Sequence, residues 1–349
     1  MRKLLHQALF ILAVGSLFSC KTTQVSVEVL KPAQITIPSQ IKSIAIINGS
    51  TPSKRDRARN VMEGLITGEV PFVDKRAAEQ CITGVVNRLQ GAPRFKSAVL
   101  TGIQIKGTGT RQFPAPLDWN YVDEICRNSN VDAIAVLEVF DSNNMYSQSE
   151  REAKRKEGDK EIKYTEYIAH LNVEIEAGWR IYYPEKQQII DQNIYNDSRE
   201  WNNASNTPKK AQAGLPALES AVSDAGYYAG QQYAVRISPL WIWVTRQYYK
   251  KGNTDFELAT RKAKVNDWKG AAELWQKHIN NSDPKIAGYA NYNMALACEM
   301  EGDLESALDW AQKSYVNYKN NSARYYVNIL KQRINDQVRL QEQMDGSND

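Results

Sequence analysis

The chain has only three histidines among its 349 residues. They form neither an HxH pair nor an HExxH helix, so a histidine-built metal centre is not expected. There is no GxSxG turn to present a serine nucleophile and no GxxxxGK[ST] loop to cradle phosphate. Cysteine is scarce too, with four in all and no CxxC. The charge is close to balanced, +4 in sum, which gives no electrostatic basis for binding nucleic acid. No apolar run approaches the ~20 residues a membrane helix needs. The longest such run near the start, Ala8 to Phe18, is broken by Gly15 and Ser16.

What is present at the start is a pattern. Arg2 and Lys3 precede the short apolar core, and "LFSC" follows it, with Leu17 three residues before Cys20 and Ser19 just before it. This resembles the lipobox of bacterial lipoproteins. The resemblance implies a signal peptide over residues 1–19, cut before Cys20, and a lipidated Cys20 that holds the protein to a membrane; two or three acyl chains hold firmly where one does not. Lys21 follows the cysteine, where aspartate would resemble an inner-membrane retention signal. The expected location is therefore the outer membrane, lipid-anchored and facing the periplasm. Removing the signal takes away Arg2 and Lys3 and leaves Cys81, Cys126 and Cys298. These are expected to be small buried hydrophobes, with a Cys81–Cys126 bridge as the alternative in an oxidising compartment.

The hydrophobic share of 42% and charged share of 24% are those of a globular chain. Residues 20–40, with Pro32 and Pro38, are expected to be a lipidated tether containing a short strand near Gln24–Leu30. Over 41–238 the order of elements is that of an α/β domain. "IKSIAIING" is a compact strand, a helix follows Asp74 with apolar residues at helical spacing, and a short strand runs near Lys96–Leu100. A helix from Leu117 to Arg127 then leads into "VDAIAVLEVF", a strand apolar enough to be buried on both faces. "KGTGT" (106–110) is expected to be a flexible loop and "SEREAKRKEGDKEIK" a solvated one. From Leu171 to Tyr182 apolar and polar residues alternate strictly, predicting one buried and one wet face. A turn at 183–187 and "QIIDQNIYNDS" complete a long antiparallel hairpin. A helix over Ala217–Val235 ends before Ser238-Pro239. Glu174 and Glu176 fall on the wet face with His170; Asp132 sits at a strand end, and Glu138 lies inside the apolar strand with no evident partner.

From 239 to 343 an all-α domain is expected, with residues 344–349 a disordered tail. "DWKGAAELWQK" and "DLESALDWAQK" align at an offset of 36. The pair resembles the tetratricopeptide repeat, with Ala259, Ala271, Ala295, Gly302 and Ala307 at its small-residue packing positions, Asn266 at the turn and His278 on a repeat helix. Tyr326, Leu330, Ile334 and Val338 form the stripe of a closing helix. Just ahead of the repeats, "LWIWVTRQYY" concentrates Trp241, Trp243, Arg246, Tyr248 and Tyr249, residue types that dominate interfaces. They are expected to form either a joint between the two domains or an exposed binding surface, with Trp241 and Trp243 packed if it is the joint.

Taken whole, the lipobox, "KPAQITIPSQIKSIAI", "LDWNYVDEIC", "DAIAVLEVFDS", "RISPLW" and the terminal repeats resemble a Bacteroidetes-type lipoprotein family of unknown function. The α/β part is similar in element order to the curli-secretion channel lipoprotein domain and to lipoprotein activators of peptidoglycan synthases. The resulting expectation is a non-enzymatic, membrane-anchored scaffold or protein-interaction module of the bacterial envelope, with no catalytic residues, cofactor or metal. Its partners would be the membrane, through the N-terminal lipid, and unidentified envelope proteins, with no nucleic acid. The alternative is a module that binds envelope glycan or peptidoglycan machinery through the α/β domain.

Overall fold

A computed structural model describes residues 21–50, 73–99, 103, 105, 112–158 and 160–344. Cys20, the whole of the 106–110 loop and the tail after 344 lie outside them. Two compact units divide the chain. One comprises Lys31–Leu240 with the residues from Leu340 on, the other the segment up to Leu30 with Trp241–Arg339.

The first unit is an α/β layer. Its elements are β2 (Ser43–Asn48), α1 (Val73–Leu89), β3 (Lys96–Val99), α2 (Trp119–Ser129), β4 (Ala133–Glu157), β5 (Lys160–Tyr183), β6 (Gln188–Ser205), α3 (Pro208–Ala213) and α4 (Leu218–Ile237). The strands form one mixed sheet in the order β3-β2-β4-β5-β6. β2 runs parallel to β3 and β4, whereas β4, β5 and β6 are antiparallel neighbours. Because side chains alternate across a strand, Ile44, Ile46, Ala133, Ala135, Leu137 and Trp179 enter one core with Cys81 of α1 and Tyr233 of α4. Ala45, Ile47, Ile134, Val136 and Tyr182 enter a second core on the other face, with Val122, Ile125 and Cys126 of α2. β2 and the start of β4 are thus buried on both faces, as the apolar run of β4 predicts. Trp179 is fully buried and stacks on Tyr233 at 4.3 Å and 7°. Helices α1 and α4 approach closely: a Cβ on Gly84 would clash with the Tyr227 carbonyl, and one on Gly230 with the Cys81 carbonyl.

Three expectations need correction. The charge run is not a loop, because β4 continues to Glu157 and β5 begins at Lys160, in unbroken antiparallel register from Val139↔Gly178 to Glu157↔Lys160. Cross-strand pairs such as Lys163–Glu152 at 2.9 Å and Arg151–Glu166 at 2.7 Å hold its solvated tip; mixed charge hides a strand when neither face has an apolar stripe to bury. The wet face of β5 is also wet only as far as Glu176: Gly178, Arg180 and Tyr182 are buried. There Arg180 donates to the Pro114 carbonyl at 2.8 Å and packs over the Phe113 ring. Finally, a Cys81–Cys126 bridge is excluded, because the two lie in cores on opposite faces of the sheet; both are free.

The second unit contains α5 (Thr254–Lys264), α6 (Trp268–Gln276), α7 (Pro284–Met300), α8 (Leu304–Val316) and α9 (Asn321–Met344). An α/β part followed by a helical region is therefore the architecture. One feature departs from an all-α domain and from a free tether. β1 (Thr22–Lys31) pairs with β7 (Leu240–Tyr249) in a two-stranded sheet, with Val25 packed on the helical core. Beyond that strand, Ala33, Ile37 and Ile41 are buried in the first unit.

Candidate interface

The aromatic stretch is the strand β7. Pro239 sets its start, because proline disfavours helical geometry in the residue before it, and Ser238 accordingly caps α4 in an extended conformation (φ −139°, ψ 141°). Period two then sorts the side chains. Arg246 and Tyr248 are buried, while Trp241, Trp243, Thr245 and Gln247 face solvent. Trp241 is 47% exposed and Trp243 69%. Neither is packed into the core of the helical unit. The alternation was present in the sequence, but the density of aromatics masked it.

The buried half of β7 is fixed to the helices. Arg246 makes a bidentate contact with Glu299 of α7, its Nε 2.9 Å from Oε2 and its Nη2 2.9 Å from Oε1. The same carboxylate accepts from the Tyr326 hydroxyl and from Arg333 Nη1, each at 2.5 Å. Burial pushes the Glu299 pKa up, but the hydrogen bonds and charge of Arg246, with Tyr326 and Arg333, outweigh it and hold the carboxyl below its ordinary value. Asn293 of α7, fully buried, donates to the Tyr249 carbonyl at 2.7 Å and accepts from the Tyr249 amide at 2.8 Å. Tyr249 stacks on Tyr289 at 3.7 Å, and Tyr248 meets Trp268 and Trp275 edge-on.

The helical pairs repeat one construction. Asp267 and Asp303 cap α6 and α8, accepting from the Gly270 and Ser306 amides at 2.9 and 3.0 Å. One residue before each cap the backbone is left-handed, at Asn266 (φ 64°) and Gly302 (φ 84°), where asparagine and glycine are the favoured residues. Ala259, Ala271, Ala295 and Ala307 are all fully buried. Tyr326, Leu330 and Ile334 of α9 close the core, but Val338 is 57% exposed and does not extend the stripe. His278 lies in the turn after α6 rather than on a helix, with its Nε2 2.8 Å from Asp255.

In the α/β unit, Glu138 acquires the partners the sequence did not reveal. Arg180 Nη1 donates to it at 2.7 Å and the Tyr182 hydroxyl at 2.5 Å. Burial raises its pKa, only partly offset by those bonds, and burial together with the Glu138 bond pushes Tyr182 up to about 12. The signal was the carboxylate itself, since a charge inside a strand requires a partner, and Arg180 and Tyr182 stood on the supposedly wet face of the next strand. Asp132 binds the β2 end, accepting from the Lys42 and Ser43 amides at 2.8 and 2.7 Å. Glu174 and Glu176 line an open groove of about 360 Å³ with Asp141, Asn143, Asn196 and Ser198. His170 stands on the same sheet, 3.0 Å from the Ser149 hydroxyl. Among the described residues no group of three or more His, Cys, Asp or Glu is placed to hold a metal ion, and no helix is long and apolar enough to cross a membrane.

An α/β sheet followed by paired helices, with an aromatic strand partly open to solvent, makes up a two-unit chain. Residues 41–249, more than half of the chain, match the family described as a domain of unknown function, DUF8603, and the chain belongs to that family. Residues 257–332 match a second domain of unknown function, DUF6340. No curated protein matches the chain. A solved structure described as a neuraminyllactose-binding hemagglutinin homolog from Helicobacter pylori is similar at 8% identity, over 59% of this chain and 87% of that one, with a TM-score of 0.21. A likeness that slight carries no argument.

Proposed function

We propose that this chain is a non-enzymatic lipoprotein of the bacterial envelope, held to the outer membrane through Cys20, whose helical unit is a tetratricopeptide-like module that binds another envelope protein. The observation that carries the reading is the exposure of Trp241 and Trp243 on a strand otherwise locked into that unit. Large aromatics are ordinarily withdrawn from water, and a rigid tryptophan pair beside polar Thr245 and Gln247 has the composition of an interface hot spot. The matched caps at Asp267 and Asp303, with left-handed turns before them, support stacked hairpins that present a fixed surface. The anchor rests on the resemblance of residues 2–20 to a lipoprotein signal, within a Bacteroidetes-type lipoprotein family.

Two experiments test the two halves. Cys20→Ala should abolish palmitate labelling and leave an uncut precursor; unchanged labelling would end the anchor reading. Affinity capture from detergent-solubilised envelopes should lose its specific partner in the Trp241→Ala/Trp243→Ala protein while thermal stability holds. Equal capture by that variant would end the interface reading. A second reading, binding of envelope glycan or its synthetic machinery, is favoured by the polar groove at Asp141, Asn143, Glu174 and Asn196. Retention of purified peptidoglycan by the parent and its loss in Asn143→Ala/Asn196→Ala would move the site there.

A further inference from the structure

We infer that Lys21, Lys250 and Lys251 form a basic patch that lies on the acidic lipid headgroups beside the anchor, so that the helical unit is held directly at the membrane surface. The inference rests on the lipid-anchor reading of Cys20. Its structural basis is the fixed position of Lys21. The Lys21 carbonyl accepts a hydrogen bond from the Lys250 amide at 3.0 Å, and β1 continues from there in its pairing with β7. The neighbouring residue, Tyr249, is gripped on both its amide and its carbonyl by Asn293. Little slack therefore separates Cys20 from a fixed point: one peptide link, ~3.8 Å between Cα atoms, joins it to Lys21. A lipid on Cys20 brings the bilayer surface to this corner of the helical unit rather than to the end of a free tether.

The corner carries the charge such a surface attracts. Lys21 and Lys251 are exposed and Lys250 is half-buried; among the described residues none of the three has an ion-pair partner. In the first turn of the adjacent α5, Asp255 is engaged by His278 at 2.8 Å, and Glu257 is exposed. The patch is net positive, whereas the exposed residues of β1 farther along, Gln24, Ser26 and Glu28, are neutral or acidic. Lysines held near an anionic bilayer each strengthen binding by on the order of fivefold, and the effect decays within a Debye length. Only basic groups close to the anchor can contribute, and these three are.

The test uses the full mature chain from residue 20 with a single fourteen-carbon chain coupled to the Cys20 thiol, in a Cys298→Ser background because Cys81 and Cys126 are buried. One chain binds reversibly, so partition onto vesicles is measurable. The parent should favour vesicles of phosphatidylcholine with about 30 mol% phosphatidylglycerol over pure phosphatidylcholine by roughly 100-fold at low salt. Lys21→Gln/Lys250→Gln/Lys251→Gln should bring that ratio close to one. A control with the same loss of charge, Lys154→Gln/Lys156→Gln/Lys163→Gln on the β4–β5 ribbon, should retain the preference. No preference in the parent, an unchanged preference in the first variant, or an equal loss in the control would each overturn the inference. Palmitate labelling of Cys20 in cells, read separately, reports on the anchor reading alone.

Discussion

Replacing Glu299 by alanine probes the point where β7 is tied to the helices. The carboxylate is the shared acceptor for Arg246 on β7 and for Tyr326 and Arg333 on α9. Its side chain is fully buried, and those of Arg246 and Arg333 are 9% and 19% exposed. Removal leaves the guanidinium of Arg246 in the interior without a counter-charge and the Tyr326 hydroxyl without its acceptor. Breaking a buried pair from one side costs ~3–5 kcal/mol, most of it the penalty of the stranded charge. Urea titration followed by hydrogen exchange of α7 amides should show that loss within the helical unit. Because the penalty belongs to the stranded partner, Arg246→Met combined with Glu299→Ala should cost less than the sum of the two single changes. A loss below about 1 kcal/mol for Glu299→Ala, or strict additivity in the double variant, would refute the reasoning. The sign of the pH effect follows from the same group. The folded pKa of Glu299 is depressed, so its stabilisation is complete above the unfolded value of ~4.3 and is lost as pH falls through the folded value.

Other changes should behave as follows. Gly230→Ala places a methyl against the Cys81 carbonyl in the α1–α4 contact and should destabilise the α/β unit by ~1–3 kcal/mol or more, measured by urea unfolding. Trp243→Ala, at an exposed site, should change stability by less than ~0.5 kcal/mol in the same assay. Mass spectrometry of peptides under non-reducing conditions should find no Cys81–Cys126 link, even after mild oxidation. Gly302→Ala forces a left-handed residue to carry a Cβ (φ 84°) and should lower stability by about 1 kcal/mol, seen as a reduced melting temperature.

Much of the fold was legible because its signals are local. The β2 run, the helical spacing of Ala78, Cys81, Ile82 and Val85, and the alternation of Leu171 to Tyr182 each declare an element within a short stretch of chain. The repeat offset of 36 placed both hairpin turns, and the structure puts left-handed backbone at Asn266 and Gly302. What stayed hidden depends on partners distant in sequence. Nothing near Glu138 identifies Arg180 as its counter-ion. Nothing near Val25 announces a strand partner beyond the whole α/β unit, so β1 read as a short strand within a tether, without its pairing. The extended β4–β5 ribbon was missed for a different reason: its order comes from cross-strand ion pairs and backbone ladders, which leave no hydrophobic period. The candidate interface was half legible. Its composition named the five residues, but only the pairing of β7 separates the exposed Trp241 and Trp243 from the buried Arg246, Tyr248 and Tyr249.

The central claim, that the open face of β7 binds an envelope protein, is tested most directly by placing a photo-crosslinking amino acid at position 243 in cells. The account predicts a discrete protein adduct from position 243, and none from position 151 on the solvated ribbon. No adduct at 243, or the same adducts from both positions, would contradict it.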